Sequence, residues 1–142
     1  MPLPTKEELE AALEKEKNKG ILELTSAKIK KDKNDILQRL QLPREMLKEY
    51  HASLKHYRYI DSLDDVILGN FIRWINLSDP ERIKLTNGAF VTDFKQTPST
   101  IYIVCKNHFG RFFNIDINKC LLFQKLNDQE ETLLAVINYL EK

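Results

Sequence analysis

The spacing of apolar residues changes character along this chain. Up to residue 59, apolar positions recur at steps of three and four, which is the period of an amphipathic helix. From residue 60 onward, apolar and polar residues alternate, which is the period of a strand with one face toward a core. The pattern therefore predicts a helical N-terminal arm over residues 1–59 and a strand-rich domain over residues 60–142.

Helices are expected throughout the arm. Residues 5–8 have the spacing of a capping box, and Gly20 is a natural stop for the helix that would begin there. A second helix is predicted over residues 26–41, and Pro43 suits the first turn of a third, whose apolar stripe continues to Tyr57. The first helix carries few apolar residues, so it is marginal alone and is expected to dock on a partner.

Five strands are expected after residue 60. They occupy residues 69–77, 89–94, 101–106, 111–117 and 121–126. Turn-forming residues separate these runs without a helix-length gap, which predicts an antiparallel meander. A last helix with a wide apolar stripe follows a second capping pattern at residues 127–130.

The expected fold class is α+β: N-terminal helices, then a five-stranded antiparallel SH3-like or Tudor-like small barrel with a C-terminal helix. Closure is favoured because an open sheet of this size would expose long hydrophobic edges. An OB-like barrel is the main alternative. Gly69 and Gly88 stand where the backbone must bend, and Asn87-Gly88 is interpreted as a bulge rather than a hairpin turn.

Composition narrows the class of protein. The chain has 142 residues, of which 42% are hydrophobic and 30% are charged, a balance typical of soluble globular proteins. No apolar run approaches the ~18 residues of a membrane span. The first residues lack the layout of a signal peptide, and Cys105 and Cys120 supply no disulfide framework. We expect an intracellular protein with reduced thiols and no membrane contact.

Neither a metal site nor a catalytic site is predicted. His51 and His56 do not have the four-residue spacing that aligns two ligands on a helix. Cys105, His108 and Cys120 would supply fewer ligands than a closed zinc site needs. No nucleophile motif and no glycine-rich phosphate loop occurs. We therefore expect no cofactor and no enzymatic activity.

Three runs of sequence carry a resemblance to a known protein type. They are YRYIDSLDDVILGNFIRWINL, IKLTNGAFVTDF and LLFQKLNDQEETLLAVINYL. The region from residue 54 onward resembles small proteins of large nucleocytoplasmic, mimivirus-like DNA viruses. The shared features are an Arg-aromatic strand after a glycine, an Asn-Gly step, and a Phe-x-Lys-Leu before a terminal helix. No activity is attached to that family. The resemblance implies a location in the host cytoplasm, a viral factory or the virion.

The candidate binding residues are basic and aromatic. Charge is nearly balanced, with 22 Lys and Arg against 21 Asp and Glu, which argues against coating duplex DNA by bulk electrostatics. A lysine cluster beside the second predicted helix has the plainer interpretation of a solvated helix face. Most aromatic residues must be core, but Tyr59 and Phe109 are expected to be exposed. The candidates are Tyr59, the hairpin residues Lys106, His108, Phe109 and Arg111, and the lysines Lys28, Lys30, Lys31 and Lys33.

Two functions from different classes are consistent with these features. One is a non-enzymatic protein-interaction or scaffolding module, a viral structural or replication-factory accessory protein, whose N-terminal helices dock on a protein partner or self-associate. The other is a nucleic-acid-binding accessory factor that contacts RNA or DNA through the lysine cluster and the hairpin tip at residues 106–111. The balanced charge favours the first.

Overall fold

A computed structural model describes residues 25–140 of the chain. Their fold is α+β, as the sequence predicts, with three α-helices and a six-stranded antiparallel sheet. The helices are α1 (Ser26–Gln38), α2 (Arg44–Ser53) and α3 (Asp128–Leu140). The strands are β1 (Tyr57–Ile60), β2 (Phe71–Asn76), β3 (Ala89–Gln96), β4 (Ile101–Lys106), β5 (Phe112–Asp116) and β6 (Cys120–Lys125). The helix predicted over residues 5–19 lies outside the described residues.

The described chain divides into two compact units, one holding α1 and α3 and the other running from Pro43 to Lys125. In the first unit, the hydroxyl of Thr25 accepts a hydrogen bond from the amide of Lys28 at 3.1 Å and caps α1. At the start of α3, Asn127 Oδ1 accepts from the amide of Glu130 at 2.8 Å, and Glu130 Oε1 accepts from the amide of Asn127 at 3.1 Å. The capping box predicted at residues 127–130 is confirmed.

The second unit contains the sheet, in the order β1-β6-β2-β3-β4-β5 with every neighbouring pair antiparallel. The extra strand is β1, in which Tyr59 pairs with Phe123 of β6. The sequence assigned Tyr57 to the end of a helix, and that was wrong, because α2 ends at Ser53. Residues 57–60 alternate between half-buried and buried positions, so the strand period begins before residue 60.

The sheet does not close into the predicted five-stranded barrel, since its edge strands β1 and β5 are not paired with each other. It nevertheless curls strongly. Residues 117–119 alone connect β5 to β6, which lie four places apart in the sheet order. A flat sheet would separate those strands by about 19 Å, whereas the connection reaches about 14 Å when fully extended. Across the curl, the rings of Trp74 and Phe113 lie 5.9 Å apart, centroid to centroid.

The core fills the inner side of this curl. Trp74 is 8% exposed, which agrees with the expectation that most aromatic residues are core. Residues contributed by all six strands and the loop after β1 form the cluster: Ile60, Val66, Ile72, Trp74, Ala89, Val91, Ile103, Cys105, Ile115 and Leu122. Side chains that are not part of this cluster lie on the outer side of β2 to β5, and the candidate site is on that side.

An irregularity of the bulge type precedes β3. Ile75 bridges to Leu85, whereas Ile72 pairs with Ala89, so residues 86–88 lie opposite residues 73–74. One extra residue on one strand is the definition of a β-bulge. Gly88 sits at this point with a φ of 96°, a left-handed conformation that glycine adopts without strain. The bulge predicted at Asn87-Gly88 is confirmed.

Candidate functional site

The β4–β5 hairpin is shaped by the side chain of Asn107. Its Oδ1 accepts hydrogen bonds from the amides of Phe109 at 3.0 Å and Arg111 at 2.9 Å, and its own amide donates to the carbonyl of Arg111 at 2.9 Å. Gly110 completes the turn with a φ of 82°. His108, Phe109 and Arg111 are exposed on this turn. A local hydrogen-bond network therefore holds the hairpin tip, residues 106–111, in one backbone conformation.

Strand register aligns four residues into one row across the sheet. Phe71 of β2 pairs with Phe90 of β3, Phe90 with Lys106 of β4, and Lys106 with Phe112 of β5. Directly opposite residues of neighbouring strands project from the same face. We call these four residues the aromatic–basic row. Adjacent positions on the same strands face the core, namely Ile72, Ala89, Val91 and Cys105, so the row lies on the outer face.

The row and the hairpin tip expose large aromatic surfaces. Phe90 is 44% exposed, Phe112 is 59% exposed and Phe109 is 83% exposed, which confirms the expectation for Phe109. Phe71 is half-buried and meets Phe90 edge-on, with ring centroids 4.9 Å apart. Clustered apolar groups on a protein surface mark interaction sites more often than single ones do. This part of the sheet is therefore the leading candidate site.

Two cations lie over rings of the hairpin. Lys106 Nζ lies 5.4 Å from the centroid of the Phe112 ring, which belongs to the row, whereas the guanidinium carbon of Arg111 lies 5.4 Å from that of Phe113, whose ring packs against the core. The rings of His108 and Phe109 have centroids 4.1 Å apart. Such positions favour a positive charge over an aromatic face. The surface thus offers positive charge and flat apolar area side by side.

The local charge is one-sided even though the total is balanced. The chain has 21 acidic residues, but none lies between Asp93 and Asp116. That stretch contains Lys95, Lys106 and Arg111, all exposed. It supplies the end of β3, all of β4 and most of β5, so Lys106, Phe112 and the hairpin tip come from an acid-free part of the chain. A ligand with negative charge is favoured there.

The other strand candidate, Tyr59, lies apart from the hairpin in the sheet order. It belongs to edge strand β1, whereas the hairpin joins β4 to the opposite edge strand β5. Tyr59 is half-buried, not exposed as expected, and its ring centroid lies 5.8 Å from that of Phe123. Its ring is used in packing against the neighbouring strand. It is therefore not part of the candidate site.

The lysines of α1 do not form one patch. Lys28 and Lys31 lie on one side of the helix and Lys30 and Lys33 on another, as helical spacing requires. Lys31 is paired with Asp35 at 2.8 Å, and that hydrogen bond, followed by the charge of Asp35, raises the pKa of Lys31. Lys33 is only 6% exposed, and burial, with a smaller effect from Lys30, lowers its pKa. A continuous phosphate-binding face is thus absent from α1.

Both cysteines are free thiols held in the protonated form. Cys105 is fully buried, and burial raises its pKa to about 12. Burial, assisted by the charge of Asp116, raises the pKa of Cys120 to about 11. The thiolate is the form that attacks electrophiles and binds metals, so both residues are poor nucleophiles and ligands at neutral pH. Among residues 25–140, no group of three or more His, Cys, Asp or Glu side chains could hold a metal ion.

Two grooves of the second unit are weaker candidates. One, of about 270 Å³, lies between β5 and β6 and has Trp74 and Phe113 in its wall. The other, of about 400 Å³, lies beside α2. In the second, the hydroxyl of Tyr50 accepts from the amide of Leu85 at 3.1 Å, and Arg73 Nε donates to the carbonyl of Thr86 at 2.7 Å. These polar groups hold the β2–β3 loop in place.

No helix in the described part of the chain is long and apolar enough to cross a membrane.

Sequence reasoning missed Phe90. Ala89, Phe90 and Val91 are all apolar, so alternation shows that Phe90 points away from its neighbours but not which side is buried. Only the pairing of β3 with β2 and β4 resolves this. The small size of Ala89, which suits a crowded inner face, is the one signal that could have indicated it.

No protein-family model, curated protein or solved structure matches the chain. The resemblance to proteins of large DNA viruses therefore stays a prediction. The function has to follow from the surface itself.

Proposed function

We propose that the protein is a non-enzymatic nucleic-acid-binding module whose contact surface is the aromatic–basic row together with the hairpin tip. The proposal is carried by one observation, the strand register that sets the exposed cation of Lys106 between the exposed rings of Phe90 and Phe112. Arg111 and His108 extend the positive charge along the tip. Phosphate groups bind such cations, and bases bind such rings.

The composition of the surface favours a nucleic acid over a protein partner. Protein interfaces are enriched in aromatic residues and Arg but depleted in Lys at their centres. Here Lys106 stands between the rings of Phe90 and Phe112, and acidic residues are missing from the stretch of sequence between Asp93 and Asp116. Nucleic-acid sites combine these same elements, because a phosphate backbone requires cations and exposed bases require apolar faces.

Capture of a protein partner by the helical arm has less support from the described residues. No large hydrophobic side chain of α1 is exposed. Large exposed hydrophobic side chains occur instead on the sheet and its loops, and at the end of α3: Leu68, Leu77, Phe90, Phe109, Phe112, Tyr139 and Leu140. The sheet surface is therefore the stronger basis for a function. If the viral resemblance holds, the binding would take place in a viral factory or in the virion.

Fluorescence anisotropy with labelled single-stranded and duplex oligonucleotides tests the proposal. We expect binding at about 50 mM salt that weakens toward 200 mM, because phosphate contacts release counterions. In the double variant Lys106→Gln/Arg111→Gln, the slope of log affinity against log salt for a single strand should flatten by about 1.4, the value for two lost contacts. The matched control is Lys28→Gln/Lys30→Gln, which removes two exposed lysines of α1 and should change nothing. No binding of any probe at low salt would refute the proposal.

A further inference from the structure

We infer that the aromatic–basic row and Phe109 form a stacking platform for unpaired bases, so that the protein selects single-stranded over duplex nucleic acid. This inference rests on the proposed function and adds the form of nucleic acid that is bound. The row supplies two exposed rings, Phe90 and Phe112, from alternate strands, with the cation of Lys106 between them. The tip supplies a third ring, that of Phe109, which is 83% exposed.

Strand spacing sets how far apart the rings stand. Phe90 lies on β3 and Phe112 on β5, with Lys106 of β4 between them. Neighbouring strands are about 4.8 Å apart, so the two rings are rooted about 10 Å apart. Bases stacked within a strand of a duplex repeat every 3.4 Å or so and cover each other's faces. Two bases can occupy both rings only where the strand is splayed open, and the phosphate between them then falls beside Lys106.

Contacts within the fold restrict the ring of Phe90 and the backbone at Phe109 before any ligand arrives. Phe71 meets Phe90 edge-on at a centroid distance of 4.9 Å and limits the orientations of that ring. Asn107 holds the amide of Phe109 at 3.0 Å. Lys106 Nζ lies 5.4 Å from the centroid of the Phe112 ring, but a cation–π contact at an exposed site is weak, so the flexible ammonium can turn to a phosphate. Aromatic faces and a mobile cation suit a strand of any sequence.

Two probes separate the contribution of base stacking to affinity from that of phosphate contact. An abasic oligonucleotide keeps every phosphate and lacks the bases, whereas a duplex keeps the bases but hides their faces. We expect the protein to bind a 12-nucleotide single strand at least about tenfold more tightly than an abasic strand or a duplex of equal length, since each stacked base contributes a factor of about 5 to 150.

Ring-removing variants complete the test. Phe90→Leu and Phe112→Leu keep an apolar side chain but remove the aromatic face, and each should weaken binding of the single strand by about fivefold or more. Binding of the abasic strand should stay as it is. Tyr139→Leu is the matched control, because Tyr139 is an exposed aromatic residue of α3 (61% exposed) and should not affect binding. Thermal melts of each variant verify that it is folded.

The outcomes distinguish this inference from the function on which it rests. If the abasic strand binds as tightly as the intact one, or if both ring variants bind the single strand like the wild type, the stacking platform is wrong while salt-dependent nucleic-acid binding stands. If no probe binds at low salt, both are wrong. Loss of single-strand affinity in the ring variants, with abasic binding unchanged, supports the platform.

Discussion

The buried side chain of Gln124 in β6 accepts a hydrogen bond from the amide of Ile67 at 2.9 Å. The same side chain donates through Nε2 to the carbonyl of Asp65 at 3.0 Å. One amide thereby satisfies a donor and an acceptor of the loop between β1 and β2. Because this loop leads into Phe71, Gln124 also anchors the end of the chain from which the aromatic–basic row starts.

Replacing Gln124 should therefore lower the free energy of unfolding. Gln124→Leu keeps the volume but leaves two backbone groups of the loop without their partner, and each unsatisfied buried group costs about 1–3 kcal/mol. We expect the free energy of unfolding in urea to fall by about 2–4 kcal/mol. Gln96→Leu, at an exposed position of β3, is the control and should change it by less than about 0.5 kcal/mol. A Gln124→Leu variant as stable as the control would show that the loop does not depend on this residue.

Two glycines with similar backbone conformation should respond differently to alanine. Gly69 has a φ of 87° and no atom within 4 Å of an added Cβ, whereas at Gly88, with a φ of 96°, that Cβ would lie 2.5 Å from the carbonyl oxygen of Ile72 and 2.5 Å from a ring carbon of Phe71. Both substitutions incur left-handed strain of about 1–2 kcal/mol. Gly88→Ala adds a clash with backbone, worth about 1–3 kcal/mol more. Urea unfolding should rank Gly88→Ala as clearly less stable; equal losses would contradict the close approach at the bulge.

The raised pKa of Cys105 predicts a loss of stability in alkali. The thiol ionises near pH 9 in the unfolded chain and near pH 12 in the fold, so the unfolded state holds fewer protons between these values. Stability then falls as pH rises through this window. Cys105→Ala should lose less unfolding free energy between pH 8 and pH 10.5 than the wild type, as measured by urea unfolding at each pH.

Tyr57 provides a check on that experiment. Burial raises its pKa as well, with the charge of Arg73 opposing, so its contribution begins only above about pH 10. Tyr57→Phe should therefore reduce the loss of unfolding free energy mainly above about pH 10. Cys105→Ala should already reduce that loss below this pH. Identical pH profiles for the wild type and Cys105→Ala would mean that the thiol is not held protonated by the fold.

Asn107 should control the order of the hairpin tip. Its Oδ1 is the acceptor for two amides, those of Phe109 and Arg111. In Asn107→Ala both amides should exchange with solvent deuterium faster than in the wild type, whereas Asn107→Asp retains an acceptor oxygen and should preserve their protection. Hydrogen exchange followed by NMR measures each amide separately. Unchanged protection in Asn107→Ala would remove the support for a preorganised tip.

Local sequence signals predicted much of the fold. The period-two alternation located β2 to β6, the capping box at residues 127–130 predicted the start of α3, and Asn87-Gly88 predicted the bulge. Each signal acts over a few residues, because side-chain direction and backbone freedom are properties of the neighbouring peptide units. The hairpin tip was found for the same reason, as turn residues flanked by cations and aromatic residues are visible in the sequence alone.

Tertiary structure decided the rest. β1 has four residues, too few for a period to be recognised, and it exists as a strand because it pairs with β6, which is distant in sequence. The register of β3 with β4 decides whether Phe90 faces the core or solvent, and it places Lys106 beside Phe90. The sequence by itself determined which residues share a face of each strand. Which face is buried, and which strands are neighbours, followed only from long-range pairing, because burial depends on the whole sheet.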